Sequence, residues 1–448
     1  MLNTPSQREG FFRADYIVQT AICSIVSNAS FRAQCNQPSD ELCLMPNRSS
    51  PKYLLLNLRY WVGKHISDSV IRTLSIACAA LLGMISQISA QIKIGAVYCH
   101  GDQQVLDAPS AIGARLAVDQ VNRAGGIGGR SVELIAITPD SSSDSVKNAV
   151  SDALEKNPGI SAFVGLSDTD LALAAGSVAK KKGLPFVTSG ATSPKLPAAL
   201  GSRFFLACFG DNVQAAAAAQ WLRDSKNCRT VAVLIDPSHT YTRLLAAYFS
   251  KAFRSGGGKI TAQSRFQPGR YFKISPSILK ADAVFLAAES PKDAIPVIQR
   301  LRSMGFAGPI VGGDGLDVPD AWIRQSLAAN VFFTTHAYPS RAPGSASSGT
   351  AKAFQRGFKK LSKGNNPDSF SGLGYDATRL LLQSIASAGS TDPEAIAKAL
   401  QHSRLAGVTG QIQYTKGSRV PVKPVSIISA ANPEDGSLQL TPSLVPAP

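Results

Sequence analysis

Two turns carry the residue types best suited to chemistry in this chain. Pro185-Phe-Val-Thr-Ser-Gly-Ala-Thr-Ser-Pro194 ends a short apolar run in hydroxyls and small residues, whereas Pro309-Ile-Val-Gly-Gly-Asp-Gly315 ends another in one carboxylate among glycines. The first turn suits an anionic or carbonyl group, through backbone N–H groups and hydroxyls. The second suits an ammonium, and together they would hold both ends of a zwitterion. An ammonium shut in a cleft without a counter-charge is costly, which gives Asp314 a use beyond its other reading as a turn aspartate. In open parallel sheets ligands sit at the carboxyl ends of strands, and both turns stand at such ends.

Covalent or phosphate chemistry has no matching motif. The chain lacks Gly-x-Ser-x-Gly, His-Glu-x-x-His and Gly-x-x-x-x-Gly-Lys-Ser/Thr. Gly125, Gly126, Gly128 and Gly129 follow a helical pattern and precede a strand, the reverse of the order a dinucleotide site needs, so they read as turn residues. His100, His239 and His336 are isolated in sequence. The expectation is a binding protein rather than an enzyme, with neither cofactor nor metal. Of the 7 cysteines, only Cys99, Cys208 and Cys228 fall in the periodic part of the chain. They form no zinc spacing; a Cys208 to Cys228 disulfide and three buried thiols both remain open.

The elements that must position these turns alternate regularly. Strand patterns at Ile92 to Tyr98, Val132 to Thr138, Ile160 to Gly165 and Pro185 to Thr188 are separated by helical patterns, one carrying Ala114, Ala117, Val118 and Val121 on a single face. The alternation restarts near Asn212, with strands at Thr230 to Asp236, Lys259 to Phe266, Asp282 to Ala287 and Pro309 to Gly312. Two such runs imply two α/β lobes built on parallel sheets. Three helices follow near Thr350 to Leu361, Gly374 to Ala388 and Pro393 to His402, then strands at Gly410 to Tyr414 and Pro424 to Ser429. Crossings between lobes are expected near Gly210, His336 to Tyr338 and Gly410, with Ala342 to Gly349 a surface loop and the tail after Ala431 loosely held.

The beginning of the chain is different. Thr73 to Ile92 holds no charged residue, follows Lys64 and Arg72, and ends in Ile88-Ser-Ala90, the layout of a secretory signal with cleavage after Ala90. Its apolar centre is shorter than the roughly 20 residues that span a bilayer. Residues 1–63 show no period and are read as an unordered extension, with 64–90 as the signal segment. The formal charge of +16 comes from scattered basic residues, so nucleic acid is not an expected partner.

The blocks Gly113-Ala-Arg-Leu-Ala-Val-Asp-Gln-Val-Asn-Arg-Ala-Gly-Gly-Ile-Gly-Gly129, Ser189-Gly-Ala-Thr-Ser-Pro194, Asp236 with Tyr241, Gly312-Gly-Asp-Gly315 and Gly374-Tyr-Asp-Ala377 occur in that order. In this order they resemble the periplasmic binding proteins of the leucine/isoleucine/valine type, the soluble receptors of ABC importers. The resemblance covers Ile92 to Ile428 and implies two doubly wound Rossmann-like α/β lobes joined by a three-strand hinge, the type 1 periplasmic binding protein fold. The first lobe would be 91–209 plus 337–410, and the second 210–336 plus 411–448. It further implies a periplasmic monomer that captures a small amino acid, amide, urea or aromatic acid and delivers it to a permease and ATPase; a ligand-sensing receptor module is the alternative. Carried over by position, the solute carboxylate falls to Gly190, Ala191 and Thr192, with Thr169 as a helper that reads equally as a helix N-cap. Asp314 and Tyr241 would face the ammonium. Glu289, where the family places a tyrosine, and His100, with Tyr98, Cys99 and Asp102 beside it, replace small or aromatic residues and make the pocket more polar than one for an aliphatic side chain.

Overall fold

The computed structural model describes residues 91–322, 326–337, 347–432 and 438–448. The extension at 1–63, the signal-type segment at 64–90, Tyr338 at the second crossing and most of the Ala342 to Gly349 loop lie outside these residues. The first lobe is built on β1 (Ile92–Val97), β2 (Val132–Ile137), β3 (Ile160–Gly165), β4 (Phe186–Thr188) and β5 (Phe204–Leu206), ordered β2-β1-β3-β4-β5 and parallel throughout. The central strand β3 is buried at every position, which is why its sequence is an unbroken run of apolar and small residues rather than an alternation. Helices α1 (Gln104–Arg123), α2 (Ser143–Lys156), α3 (Thr169–Lys181) and α4 (Leu196–Leu200) cover the sheet. The side chain of Asp168 accepts the Leu171 N–H at 2.7 Å and starts α3. Lys180 and Lys181 close it where cations meet the negative end of the helix dipole.

The second lobe starts with α5 (Asp211–Asp224), then alternates β6 (Thr230–Ile235), α6 (Thr240–Ser255), β7 (Lys259–Arg265), α7 (Pro276–Leu279), β8 (Ala283–Ala287), α8 (Pro291–Ser303), β9 (Ile310–Gly312), α9 (Pro319–Trp322) and β10 (Val331–Thr335). The chain then returns to the first lobe. Helices α10 (Ser348–Leu361), α11 (Ser369–Ala388) and α12 (Pro393–His402) lead to a hairpin of β11 (Arg404–Gly407) and β12 (Gly410–Gln413). Finally β13 (Val425–Ser429) pairs antiparallel with β10, and β14 (Leu438–Leu440) with β13, completing a sheet ordered β14-β13-β10-β9-β8-β6-β7.

Three details differ from the sequence expectation. Strand β5 was not foreseen, because three residues are too few to show a period. Leu405, Ile412 and Tyr414 pack in the first lobe's core, so the last crossing comes between Tyr414 and Val425 rather than at Gly410. The tail is pinned rather than loose, since β14 joins the sheet and Asn212 Nδ2 donates to the Pro446 carbonyl at 2.8 Å. Cys99, Cys208 and Cys228 are free and buried.

Each sheet reverses its strand order once, at β1/β3 in the first lobe and at β6/β8 in the second. Such switch points open a crevice at the carboxyl ends of the strands. The crossings that join the lobes are tied together: Tyr414 Oη donates to Leu206 O at 2.8 Å, Lys423 Nζ to Ala207 O at 3.1 Å, and Leu206 N to Arg419 O at 2.9 Å.

Candidate functional site

The two crevices form one cleft. Leu106, Ser167, Asp168, Gly190, Thr192 and Phe370 line it from the first lobe, and Tyr241, Glu289, Asp314 and Gly315 from the second. The loops after β3, β4, β8 and β9 supply all of these except Leu106, which lies in α1, Tyr241, which lies in the first turn of α6, and Phe370, which lies in α11. The lobes stand closed, leaving about 10 Å³ for the centre of a water-sized molecule. A wider hollow of about 580 Å³ lies by the start of β1, among Ile92, Gly126, Arg130 and Arg379. It sits at the amino end of the sheet, where no switch point reaches, and we take the smaller cleft as the site.

Asp314 is held from three sides. Its Oδ1 accepts from Gln214 Nε2 at 2.7 Å and from Tyr241 Oη at 2.8 Å, and its Oδ2 lies 3.2 Å from His336 Nε2. Gln214 Oε1 in turn accepts the Asp314 N–H at 3.1 Å and the Thr334 hydroxyl at 2.6 Å. Burial pushes His336 down to about 4, so near neutrality it is an uncharged imidazole whose Nε2–H donates to Asp314. The Tyr241 hydroxyl, held well above its usual range by burial and then by Asp314, stays protonated and donates. The glycines around Asp314 are a packing requirement. A Cβ on Gly313 would come within 2.2 Å of Tyr241 Oη, and one on Gly315 within 2.5 Å of the Glu289 carbonyl.

Opposite Asp314, the Ser189 to Thr192 turn is tightly wound. Gly190 N–H donates to Leu166 O at 3.1 Å and Ala191 N–H to Thr188 Oγ1 at 3.2 Å, so these two backbone donors are already engaged. The Thr192 carbonyl accepts the Asp211 N–H at 2.8 Å, and its hydroxyl offsets part of the burial that raises the Asp211 carboxyl. Thr169 is the first residue of α3 rather than its cap; the cap is Asp168, and Thr169 Oγ1 is buried with no hydrogen bond among the described residues. Glu289 lines the cleft from the second lobe, its Oε1 accepting from Gln103 Nε2 at 3.0 Å across the lobes. Its carboxyl is raised well above the ordinary range by burial and then by Asp168.

His100 does not reach the cleft. Its backbone continues the β1–β2 pairing past the strand ends, through the Pro139 carbonyl, and its ring lies 2.7 Å from Asp140 on an exposed edge. Tyr98 and Cys99 are core residues, and Asp102 sits exposed 3.5 Å from Lys292 of the other lobe. Sequence reasoning missed Gln214, His336 and Asp168. Gln214 was detectable as the polar residue directly before the Ala215 to Ala219 run on a buried helix. Asp168 was detectable as an N-cap type three residues before the first helical leucine.

One grouping, Asp168, Asp170 and His239, brings three potential metal ligands within 4.8 Å of one another. Ligands of one small cation stand roughly 3 Å apart, and two of these groups are engaged: Asp168 caps α3 and Asp170 Oδ2 accepts the Thr240 N–H at 3.1 Å.

A two-lobed frame with a closed cleft at paired switch points is matched by the family model described as periplasmic binding protein, over residues 91–436. The chain belongs to the periplasmic binding protein family. Members of this family bind solutes and are not enzymes. This periplasmic binding protein is 28% identical to a Leu/Ile/Val-binding protein homolog of Brucella melitensis over 76% of this chain and 92% of that one. It is 27% identical to a Leu/Ile/Val-binding protein of Rhizobium johnstonii over 77% and 93%. Among solved structures, a leucine-binding protein from Thermotoga maritima superposes with a TM-score of 0.68 at 25% identity, covering 78% of this chain and 97% of that one. A solute-binding protein of Rhodopseudomonas palustris in complex with benzoate superposes at 0.64, with 17% identity over 79% and 96%, a likeness of fold alone. Among the described residues no helix is long and apolar enough to cross a membrane.

Proposed function

We propose that this periplasmic binding protein is the exported receptor of an ABC importer, and that its lobes close over a small amino acid or a related polar solute. The observation that carries the reading is the braced carboxylate of Asp314 after β9, which lines the same cleft as the hydroxyl-bearing turn after β4 in the other lobe. Asp314 would take an ammonium or other N–H donor, while Thr192, Thr169 and Ser167 would face the anionic or carbonyl end. Because Gly190 and Ala191 spend their N–H groups internally, hydroxyls carry more of that second pole than the family pattern implies. The leucine- and isoleucine-type names of the relatives favour an amino acid, and the benzoate complex of a structural neighbour shows how wide the fold's solute range is. Closure is a hinge motion about the three crossings.

A melting screen against amino acids, amides and aromatic acids tests the reading. A solute at 100 times its dissociation constant adds about 2.7 kcal/mol of stability, a shift of several degrees. The absence of any shift across these classes would contradict it.

A further inference from the structure

Beside the Asp314 pole the cleft holds a second set of acceptors with nothing to accept. Asp168 Oδ2, Glu289 Oε2 and Gln103 Oε1 are all buried, and none makes a hydrogen bond among the described residues. These residues are only 5%, 7% and 7% exposed, so bulk solvent hardly reaches them. Asp168 and Glu289 line the cleft from opposite lobes, and Gln103 holds the other oxygen of Glu289. Ring nitrogen Nδ1 of His239 stands 3.8 Å from Glu289 Oε2, beyond hydrogen-bond reach.

Charge points the same way. The chain carries a formal +16, yet Asp168, Glu289 and Asp314 line the cleft and no lysine or arginine does. Buried acceptors left unmatched are destabilising, and where they line a cleft a ligand can supply the donors. An aliphatic side chain would cap this set with methyl groups and leave three acceptors orphaned. A group with several N–H donors and a positive charge would satisfy all three. Burial also raises Asp168, in spite of the lowering effect of His239, and raises Glu289 above the ordinary carboxylate range.

Resting on the solute-receptor reading above, we infer that the solute carries a cationic N–H donor group, of guanidinium, amidinium or ammonium type, received by Asp168, Glu289 and Gln103 at a subsite separate from Asp314. Asp168 is thereby both the cap of α3 and a specificity residue, and Glu289 closes on the same group from the other lobe. A basic amino acid and a diamine share this chemistry and differ only in the carboxylate.

The test is calorimetric titration of the purified full chain with L-arginine, L-lysine, agmatine, L-citrulline, L-leucine and benzoate. L-arginine, L-lysine or agmatine should bind at least tenfold tighter than L-citrulline, which replaces the charge by a neutral urea, and about 100-fold tighter than L-leucine. Tighter binding of arginine than agmatine identifies an amino acid; the reverse identifies a diamine; both support the subsite. Glu289→Gln and Asp168→Asn keep shape, and asparagine keeps the helix cap. Each should weaken the cation by about two decades while the ligand-free protein melts at or above the wild-type temperature, because an unmatched buried carboxyl has been removed. Unchanged cation affinity in both variants overturns the inference. Preferred binding of L-leucine or benzoate overturns it while leaving the solute-receptor reading intact; no binding by any of the six overturns the inference, and the melting screen above then decides the receptor reading separately.

Discussion

Tyr241 Oη donates to Asp314 Oδ1 at 2.8 Å and at the same time accepts the Gly315 N–H at 3.1 Å. One hydroxyl from the first turn of α6 thus fixes both the carboxylate and the backbone of the Gly-Asp-Gly turn after β9. The contact requires Gly313, whose hydrogen leaves the room that Tyr241 Oη occupies.

Tyr241→Phe should therefore cost stability before any solute is added. It leaves the Gly315 N–H and one lone pair of Asp314 unmatched in a buried site, a loss of about 1–3 kcal/mol. Urea unfolding of the ligand-free protein measures it. A loss below a few tenths would mean that the hydroxyl does not brace the turn.

Buried carboxyls give the stability a pH dependence of definite sign. Burial raises Asp107 to about 7, Asp211 to about 8 with help from Asp314, and Asp317 to about 7, against roughly 3.9 in the unfolded chain. Raised folded values mean that the native state holds extra protons. The associated stability is complete below the unfolded value and is lost as pH rises through 7 to 8. His336, lowered to about 4, works in the opposite direction but only between 4 and its unfolded value near 6.5. Lys423, lowered to about 8, adds a slope only above that pH. From pH 6.5 to 8 the carboxyls prevail, so the ligand-free melting temperature should fall. Asp211→Asn should flatten the fall and raise the temperature at pH 8; a temperature that rises with pH over this range would contradict the assignment.

The hinge has a buried cation of its own. Lys423 Nζ donates to Thr409 Oγ1 at 2.9 Å, and that hydroxyl donates to Asp376 Oδ2 at 2.7 Å, so the third crossing is wired to α11. Lys423→Met should destabilise by about 2–4 kcal/mol, because it strips the cation from a buried carboxylate and leaves Ala207 O without its donor. Adding Asp376→Asn should recover part of the loss. Strict additivity in the double-mutant cycle would show that the two do not interact.

Much of the fold was legible because its signals are periodic. Fully buried strands such as β3 and the β8 run Ala283–Ala287 read as apolar blocks, and α1 showed its core face in Ala114, Ala117 and Val118. What escaped was either too short for a period, like β5, or decided by packing, like the hairpin of β11 and β12 that keeps Tyr414 in the first lobe. The site was legible where a turn ends a strand, at Thr192 and Asp314. Gln214 and His336 were not, because their partner Asp314 lies in another element and no spacing links them. His100 was misplaced for a related reason: sequence puts it after β1, but backbone pairing with β2 carries it to the outer edge.

Closure should be visible in solution. The described lobes leave almost no free volume between them, so a solute enters only if they part. Small-angle scattering of the protein with and without L-arginine or L-leucine, whichever gives the larger melting shift, should show a smaller radius of gyration with solute. An unchanged radius at saturation would exclude hinge closure.

The most direct test is the affinity of Asp314→Ala for the solute that stabilises the wild type most, compared with Thr192→Ala. Removing one partner of a desolvated charge pair costs about 3–5 kcal/mol, or roughly two to four decades in dissociation constant. Loss of one hydroxyl from a turn with other donors should cost about 0.5–3 kcal/mol. Calorimetry should therefore find both weakened, with Asp314→Ala the weaker. Wild-type affinity in Asp314→Ala would contradict the account, because the braced carboxylate would then hold the turn and not the solute.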